Sequence, residues 1–389
     1  MKVLVLCEYP PVPGGLSTQG ELLVRGLREI GVKAEAVNLE SGPEKEWYYR
    51  WFRPDVVVGI GYWGHTPHLV LHPQRHGRVA VPWLVADGYL ANYREVLNAL
   101  PVILVTSRWV KEVYVRDGIN PDLLEVLPVG CDTEAFVPRP FDDPKIAAVR
   151  QSLGLGPEDL MILTVGGDAA SKGAQEVMQA LALIDGEIPG WRYVCKVWPQ
   201  PRTAAQNRAD MQLAAELGLE RRVTFATDRS SRNYMPYLIG ACDIYAGPSR
   251  LEGFGMPQVE AGACGRPVLG IRAMAMLDTL VHGETAFLAG AEEHRVSEAI
   301  LEETAGLGAG QRIVFAPPRV VDYRAEVDDI ADYLLKLMLD PELRRRMGEA
   351  GRRRVVERYD YRVVARRFVE IVTRRLSGAA QVSAARRAA

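Results

Sequence analysis

Two glutamates stand eight residues apart in the segment 248–268, which reads PSRLEGFGMPQVEAGACGRPV. Glu252 falls in a glycine-rich turn, where Gly253 and Gly255 let backbone approach a ligand closely. Pro257 suits the first turn of a helix, so the N–H groups around Phe254, Gly255 and Met256 make an anion site at a helix start. Glu260 then lies about one turn inside that helix. Carboxylates so spaced can flank one ligand and accept paired hydroxyls, as a sugar or a ribose offers them. A cation belongs to the same chemistry: Lys172, in ILTVGGDAASKG (162–173), is placed to open another helix, where a point charge adds to backbone donors.

Other groups call for weighing. Gly14 and Gly15 close the loop YPPVPGG ahead of an amphipathic stretch. Asp87, in LVADGY, could accept a hydroxyl or its proton, or form an Asx-type turn before Gly88. The run Gly59–Gly64 fits G-x-G-x-x-G with Asp87 downstream, a formal dinucleotide fingerprint. It follows the third strand instead of the first, and Pro67 and Pro73 shorten the helix after it, so a dehydrogenase is not expected. His65, His68, His72 and His76 are clustered, with His68 and His72 one helical turn apart. No carboxylate or cysteine accompanies them in the run and Pro73 interrupts the face, so a polar helix side is expected and no metal site.

The elements that must position these residues are short apolar runs separated by helical segments. Runs at 2–6, 34–39, 55–60, 79–85, 102–106 and 124–127 form a first series. The proline-rich stretch 137–144 reads as a linker, and a second series follows at 160–165, 191–197, 222–226, 243–246 and 266–270. Strands alternating with helices predict βαβ units, hence two doubly wound parallel sheets of similar size. Ligands in such sheets bind beyond the carboxyl ends of the strands. From about Glu326 the chain reads as helical, and its Ala/Arg-rich end after Ser377 as frayed.

The chain has 389 residues, 48% of them hydrophobic and 25% charged, with a net charge of −2. That composition excludes disordered, collagenous and disulfide-scaffold classes. No apolar stretch reaches the length of a membrane span, and the first apolar run is too short for a secretory signal. The five cysteines are scattered without CxxC spacing, so zinc and redox sites are not expected and a reduced, cytoplasmic setting is. From Pro341 onward there are 14 Arg against 5 Asp and Glu. Solvated helix faces account for this excess; attraction to acidic lipid headgroups at the inner membrane surface is the sharper alternative, and nucleic acid is not expected.

The block EGFGMPQVEAGACGRPV after Pro-Ser closely resembles the donor-binding motif of the retaining glycosyltransferases of family 4, glycosyl transferases group 1, which have the GT-B fold. That resemblance implies an α/β protein of two Rossmann-like domains facing each other across a cleft. The implied division is an acceptor-side domain over 1–140, with the helix 361–376 packing back on it, a nucleotide-sugar domain over 141–360 and a disordered tail over 377–389. It also implies that Glu252 contacts the donor sugar, that the amides of Gly253, Phe254, Gly255 and Met256 meet sugar and diphosphate, and that Glu260 holds the ribose. Lys172 would grip the diphosphate, Gly14 and Gly15 would approach the phosphate, and Asp87 would stand near the reacting carbon. The segments VTSRWVK (105–111) and VLPVGCDTEAF (126–136) resemble those closing the acceptor domain, and His65 would face the acceptor.

Three departures stand out. Gly167 replaces an Arg common in relatives, a loss that Lys196, Arg202 or Arg272 could compensate. Asp87 stands where many have His. Ala273–Met276 replaces a glycine-rich loop. The implied function is metal-independent, retaining transfer of a sugar from a nucleotide-diphosphate sugar to a hydroxyl of a glycan, lipid or small molecule, with no cofactor. A non-catalytic nucleotide-sugar or glycan-binding protein is the alternative, and a phosphorylase or sugar-phosphate synthase on the same fold another.

Overall fold

The computed structural model describes residues 1–388 except 87, 157, 189, 199–200, 228–230 and 301–310, and it describes no side chains for 201–203 and 378–388. Twelve of its strands lie in two six-stranded sheets, and every pairing within those two sheets is parallel. The chain divides into two compact units: residues 1–130, 295–321 and 358–389 form the first, and residues 131–294 and 322–357 the second.

In the first unit, β1 (Lys2–Cys7), β2 (Lys33–Asn38), β3 (Val56–Gly61), β4 (Ala80–Leu84), β5 (Ile103–Val105) and β6 (Leu124–Val126) are ordered β2-β1-β3-β4-β5-β6. Val3–Leu6 and Val57–Val58 are wholly buried. Such near-continuous apolar runs are what a sheet covered on both faces requires. The strand order reverses between β1 and β3, and the helix Gly15–Glu29 begins after the loop that leaves β1. The last helix, Tyr361–Ala388, packs on that helix: the Tyr361 hydroxyl donates to Glu29 at 2.8 Å, and Arg25 lies over the Tyr361 ring.

In the second unit, β7 (Leu160–Val165), β8 (Trp191–Lys196), β9 (Val223–Ala226), β10 (Ile244–Ala246), β11 (Val268–Ile271) and β12 (Ala286–Ala289) are ordered β12-β11-β10-β7-β8-β9. Here the order reverses between β7 and β10, which pair directly through Ile162 with Ile244 and Leu163 with Tyr245. A switch point of this kind leaves an open crevice beyond the strand ends, because the two following connections run to opposite faces.

A feature without counterpart in the sequence reading is the hairpin of β13 (Ala291–Ile300) and β14 (Arg312–Ala325). Most of its side chains are exposed or half-buried, so no hydrophobic alternation marks it. Its base belongs to the second unit, where the Tyr323 N–H donates to the Arg250 carbonyl at 2.8 Å. Residues 295–321 belong to the first, where Phe315 meets the Tyr89 ring and Arg319 pairs with the buried Asp117 carboxylate. Asp117 also accepts the Leu90 N–H at 2.7 Å, so the hairpin and the segment after β4 share one anion. Among the described residues no helix is long and apolar enough to cross a membrane.

Candidate functional site

The two loops that carry the strongest sequence signals leave the two strands at the switch point of the second sheet. The loop after β7 runs through Gly166 to Lys172, and the loop after β10 runs from Gly247 to Gly255. They are pinned to each other by backbone: the Arg250 N–H donates to the Ser171 carbonyl at 3.0 Å. Gly173 makes that approach possible. Its φ is +82°, and a Cβ there would stand 2.3 Å from the Pro248 carbonyl oxygen. Only glycine meets both demands.

This pinning brings Lys172 onto Glu252. The Lys172 ammonium donates to Glu252 Oε2 at 2.8 Å, with both side chains largely buried. Burial opposes the Lys172 charge, but the Glu252 carboxylate, its hydrogen bond and Asp168 outweigh it and raise the pKa above the ordinary lysine value. The ammonium is therefore held charged. Asp168 shapes the same turn, accepting the Ser171 N–H at 2.7 Å. The stem of Lys172 crosses Gly166, where a Cβ would lie 2.4 Å from Cγ of the lysine.

The second oxygen of Glu252 turns to the helix Met256–Ala263. Oε1 accepts the Gly255 N–H at 3.0 Å and the Phe254 N–H at 3.5 Å. The glutamate thus sits on the very amides expected to meet a ligand anion, and it serves there as their counter-charge. Gly255 takes φ +89°, and a Cβ there would lie 2.3 Å from Met276 Cε. Met274 contacts the same turn, its Sδ 3.3 Å from the Glu252 nitrogen, and it adopts φ +54°. The segment Ala273–Met276 therefore packs under the turn although it lacks glycine, and a non-glycine residue in the left-handed region results.

Glu260 lies on the helix Met256–Ala263 and makes no side-chain hydrogen bond to a described residue. Burial pushes its carboxyl up to about 8; Arg232 draws it down and Asp132 adds to the rise. Both Glu252 and Glu260 act on the buried Tyr245 phenol, whose pKa lies well above the ordinary value, chiefly through burial. The two glutamates thus share one neighbourhood at the end of β10.

Arg250, which the sequence reading did not single out, anchors the motif loop. Its Nε donates to Glu176 at 2.9 Å and its Nη2 to Gln175 at 2.8 Å, both on the helix Ala174–Leu183 that follows Lys172. Of the cations suggested as substitutes for an arginine at Gly167, Lys196 donates to the Val197 and Ala226 carbonyls, and Arg272 donates to the Leu288 carbonyl and lies beside His282. The Arg202 side chain is outside the described residues. Among the described residues a Cβ at Gly167 would meet nothing nearer than Trp198 at 3.8 Å.

In the first unit, Gly14 caps and Gly15 opens the helix Gly15–Glu29. The loop before them is tied down by Ser17, whose Oγ donates to the Glu8 carbonyl and accepts the Val12 N–H. Asp87 lies outside the described residues, so no geometry is assigned to it. The G-x-G-x-x-G run is accounted for by packing: Cβ atoms at Gly59 and Gly61 would strike Leu69 and His65. All five cysteines are buried and free.

The sequence of residues 145–303 matches the profile of glycosyl transferases group 1. D-inositol 3-phosphate glycosyltransferase of Mycobacterium marinum is 34% identical over 168 residues, 43% of this chain and 34% of that protein. The chain spans between about a third and a half of the length of the curated relatives it matches. Anabaena HepE, solved in complex with UDP and glucose, superposes with a TM-score of 0.72 at 17% identity, covering 96% of this chain and 99% of that one. Sucrose-phosphate synthase from Thermosynechococcus elongatus gives 0.72 at 18% identity, covering 97% and 99%. The fold, with its two Rossmann-like domains, is GT-B.

Proposed function

We propose that this chain, whose residues 145–303 match the profile of glycosyl transferases group 1, is an enzyme of that family that moves a sugar from a nucleotide-diphosphate sugar to an acceptor hydroxyl. The observation that carries this reading is the Lys172–Glu252 pair, 2.8 Å apart, at the switch point and at a helix N-terminus. HepE, with the same fold, binds UDP and glucose, which supports a nucleotide sugar as the donor here.

The chemistry follows from where charge develops. As the bond from the anomeric carbon to the phosphate oxygen breaks, negative charge grows on the leaving diphosphate, and fixed donors aimed there lower the barrier. Lys172 supplies a permanent positive charge, and the amides of Gly253, Phe254, Gly255 and Met256 supply dipoles. A bound diphosphate would replace Glu252 at Lys172 and at the Gly255 amide, freeing that carboxylate to accept sugar hydroxyls. Glu260 would accept the ribose hydroxyls. The new bond joins the acceptor oxygen to the anomeric carbon, and the acceptor proton passes to the leaving phosphate oxygen, with retention of configuration. Neutralisation by Lys172 and amides makes the transfer metal-independent in this reading. The remaining assignments, Gly14 and Gly15 to the phosphate and Asp87 to the acceptor side, rest on the resemblance.

A second reading is favoured by one observation: Glu252 is already satisfied by Lys172 and two amides, as in a protein that binds without turnover. Incubation with UDP-, GDP- and ADP-sugars in the presence of a chelator separates the two. Release of nucleoside diphosphate, reduced by orders of magnitude in Lys172→Ala and Glu252→Ala, is expected of the enzyme. Binding without release supports the second reading, and wild-type transfer in both variants overturns the site assignment.

A further inference from the structure

The histidine run acquires in the structure the carboxylate it lacks in sequence. After β3 the chain makes a five-residue π-helical turn, Pro67–Leu71, and then the short helix His72–Arg75. Pro73 occupies the first turn of that helix, where no backbone N–H is needed, so it does not interrupt the face as the sequence reading expects. The His72 and His76 rings stay one turn apart on that face, with centroids 4.8 Å from each other. Against them lies the helix Gly42–Trp51, which presents Glu46: Oε1 is 3.8 Å from His76 Nε2. One ligand atom from each of Glu46, His72 and His76 falls within 4.8 Å of the others.

We propose that Glu46, His72 and His76 bind one divalent transition-metal ion of the zinc class, which clips the helix Gly42–Trp51 to the segment 67–76 within the first unit. Nothing in this proposal rests on the function proposed above. Two imidazoles and a carboxylate are the donor set that Zn²⁺, Ni²⁺ and Cu²⁺ accept, and magnesium and calcium do not favour. Ligand atoms about 3.3 Å apart suit metal–ligand bonds of about 2.0–2.1 Å in a tetrahedron. The Glu46–His76 pair is already near that spacing, and both side chains, 40% and 37% exposed, have freedom to close the rest. Their exposure leaves the fourth position to water.

The Tyr49 hydroxyl lies 3.5 Å from His72 Nδ1, where it can accept a hydrogen bond from the Nδ1–H tautomer, the form that keeps the Nε2 lone pair for an ion. Two of the nearby cations are engaged elsewhere: Lys45 Nζ donates to the Leu39 carbonyl at 2.6 Å, and Arg78 donates to the Tyr49 carbonyl at 2.6 Å. Arg50, 4.0 Å from Glu46, is the competitor the ion must displace.

The test uses the full chain, free of any affinity tag and stripped with chelator, titrated calorimetrically with ZnCl2. Substitution by Co²⁺ reports the ligand geometry through its visible absorption. One ion per chain is expected, with thermal unfolding shifted upward by mass action. Glu46→Gln and His76→Ala, both at half-exposed positions that do not threaten folding, should each weaken binding at least tenfold. His68→Ala should leave it unchanged. Affinity in the Glu46→Gln/His76→Ala double variant equal to wild type, or a loss in His68→Ala as large as in His76→Ala, overturns the site.

Discussion

Glu260→Gln tests the electrostatics of the candidate site in two independent ways. The Glu260 carboxyl is raised from 4.5 to about 8 in the folded chain, mainly by burial. Between those values the folded protein holds a proton that the unfolded chain has released. The contribution of Glu260 to stability is therefore greatest below pH 4.5 and falls as pH rises towards 8, at about 1.36 kcal/mol per unit, then levels off. The full shift corresponds to a ceiling of about 5 kcal/mol. Glutamine keeps the shape and cannot ionise, so its thermal unfolding temperature should gain on wild type steadily from pH 5 to pH 8 and no further. A difference between the two proteins that stays constant from pH 5 to pH 9 refutes the raised carboxyl.

The same titration enters ligand binding. If ionised Glu260 accepts the ribose hydroxyls of a nucleotide, binding releases a proton below pH 8. The affinity of UDP for wild type should then rise about fiftyfold from pH 6 to pH 8, following the ionised fraction. In Glu260→Gln, UDP should bind weakly at every pH. Calorimetry in buffers of different ionisation enthalpy counts the proton directly. A stability effect without a binding effect would place the carboxyl correctly and remove it from the ribose.

Gly173→Ala should destabilise more than Gly255→Ala, measured by denaturant unfolding. Each imposes a left-handed non-glycine residue, costing about 1–3 kcal/mol, but the Gly173 Cβ meets the fixed Pro248 carbonyl while that of Gly255 meets the mobile end of Met276. Gly167→Arg, at a position where among the described residues a Cβ meets nothing nearer than Trp198 at 3.8 Å, should tighten UDP binding on the proposed function, measured by calorimetry. Arg319→Ala leaves the buried Asp117 with Arg116 as its remaining arginine and should raise hydrogen exchange along 312–321 without altering β7, with a stability cost of about 1–3 kcal/mol.

What could be read from the chain, and what could not, divides along a physical line. Strands buried on two faces announce themselves as apolar runs, as Val3–Leu6 and Met161–Leu163 do, being wholly buried, whereas the four-residue edge strand β12 (Ala286–Ala289) was not among the runs read. The motif loop was legible because its glycines, proline and glutamates are consecutive. The hairpin β13–β14 was not, since a two-stranded ribbon with no fully covered face has no periodic pattern to display. Nor could spacing reveal pairings between distant segments. Lys172 and Glu252 read as two separate signals, and only strand order, which sets β7 beside β10, makes them one ion pair. Glu46 and the histidines of 72–76 are the same case in the first unit, where a carboxylate absent from the run arrives from another helix. In both, sequence supplies the chemical type of each group and topology supplies its neighbour. A lysine or histidine judged alone therefore looks ordinary until the sheet is assembled, and the residues most in need of structure are those whose partner lies across a crossover.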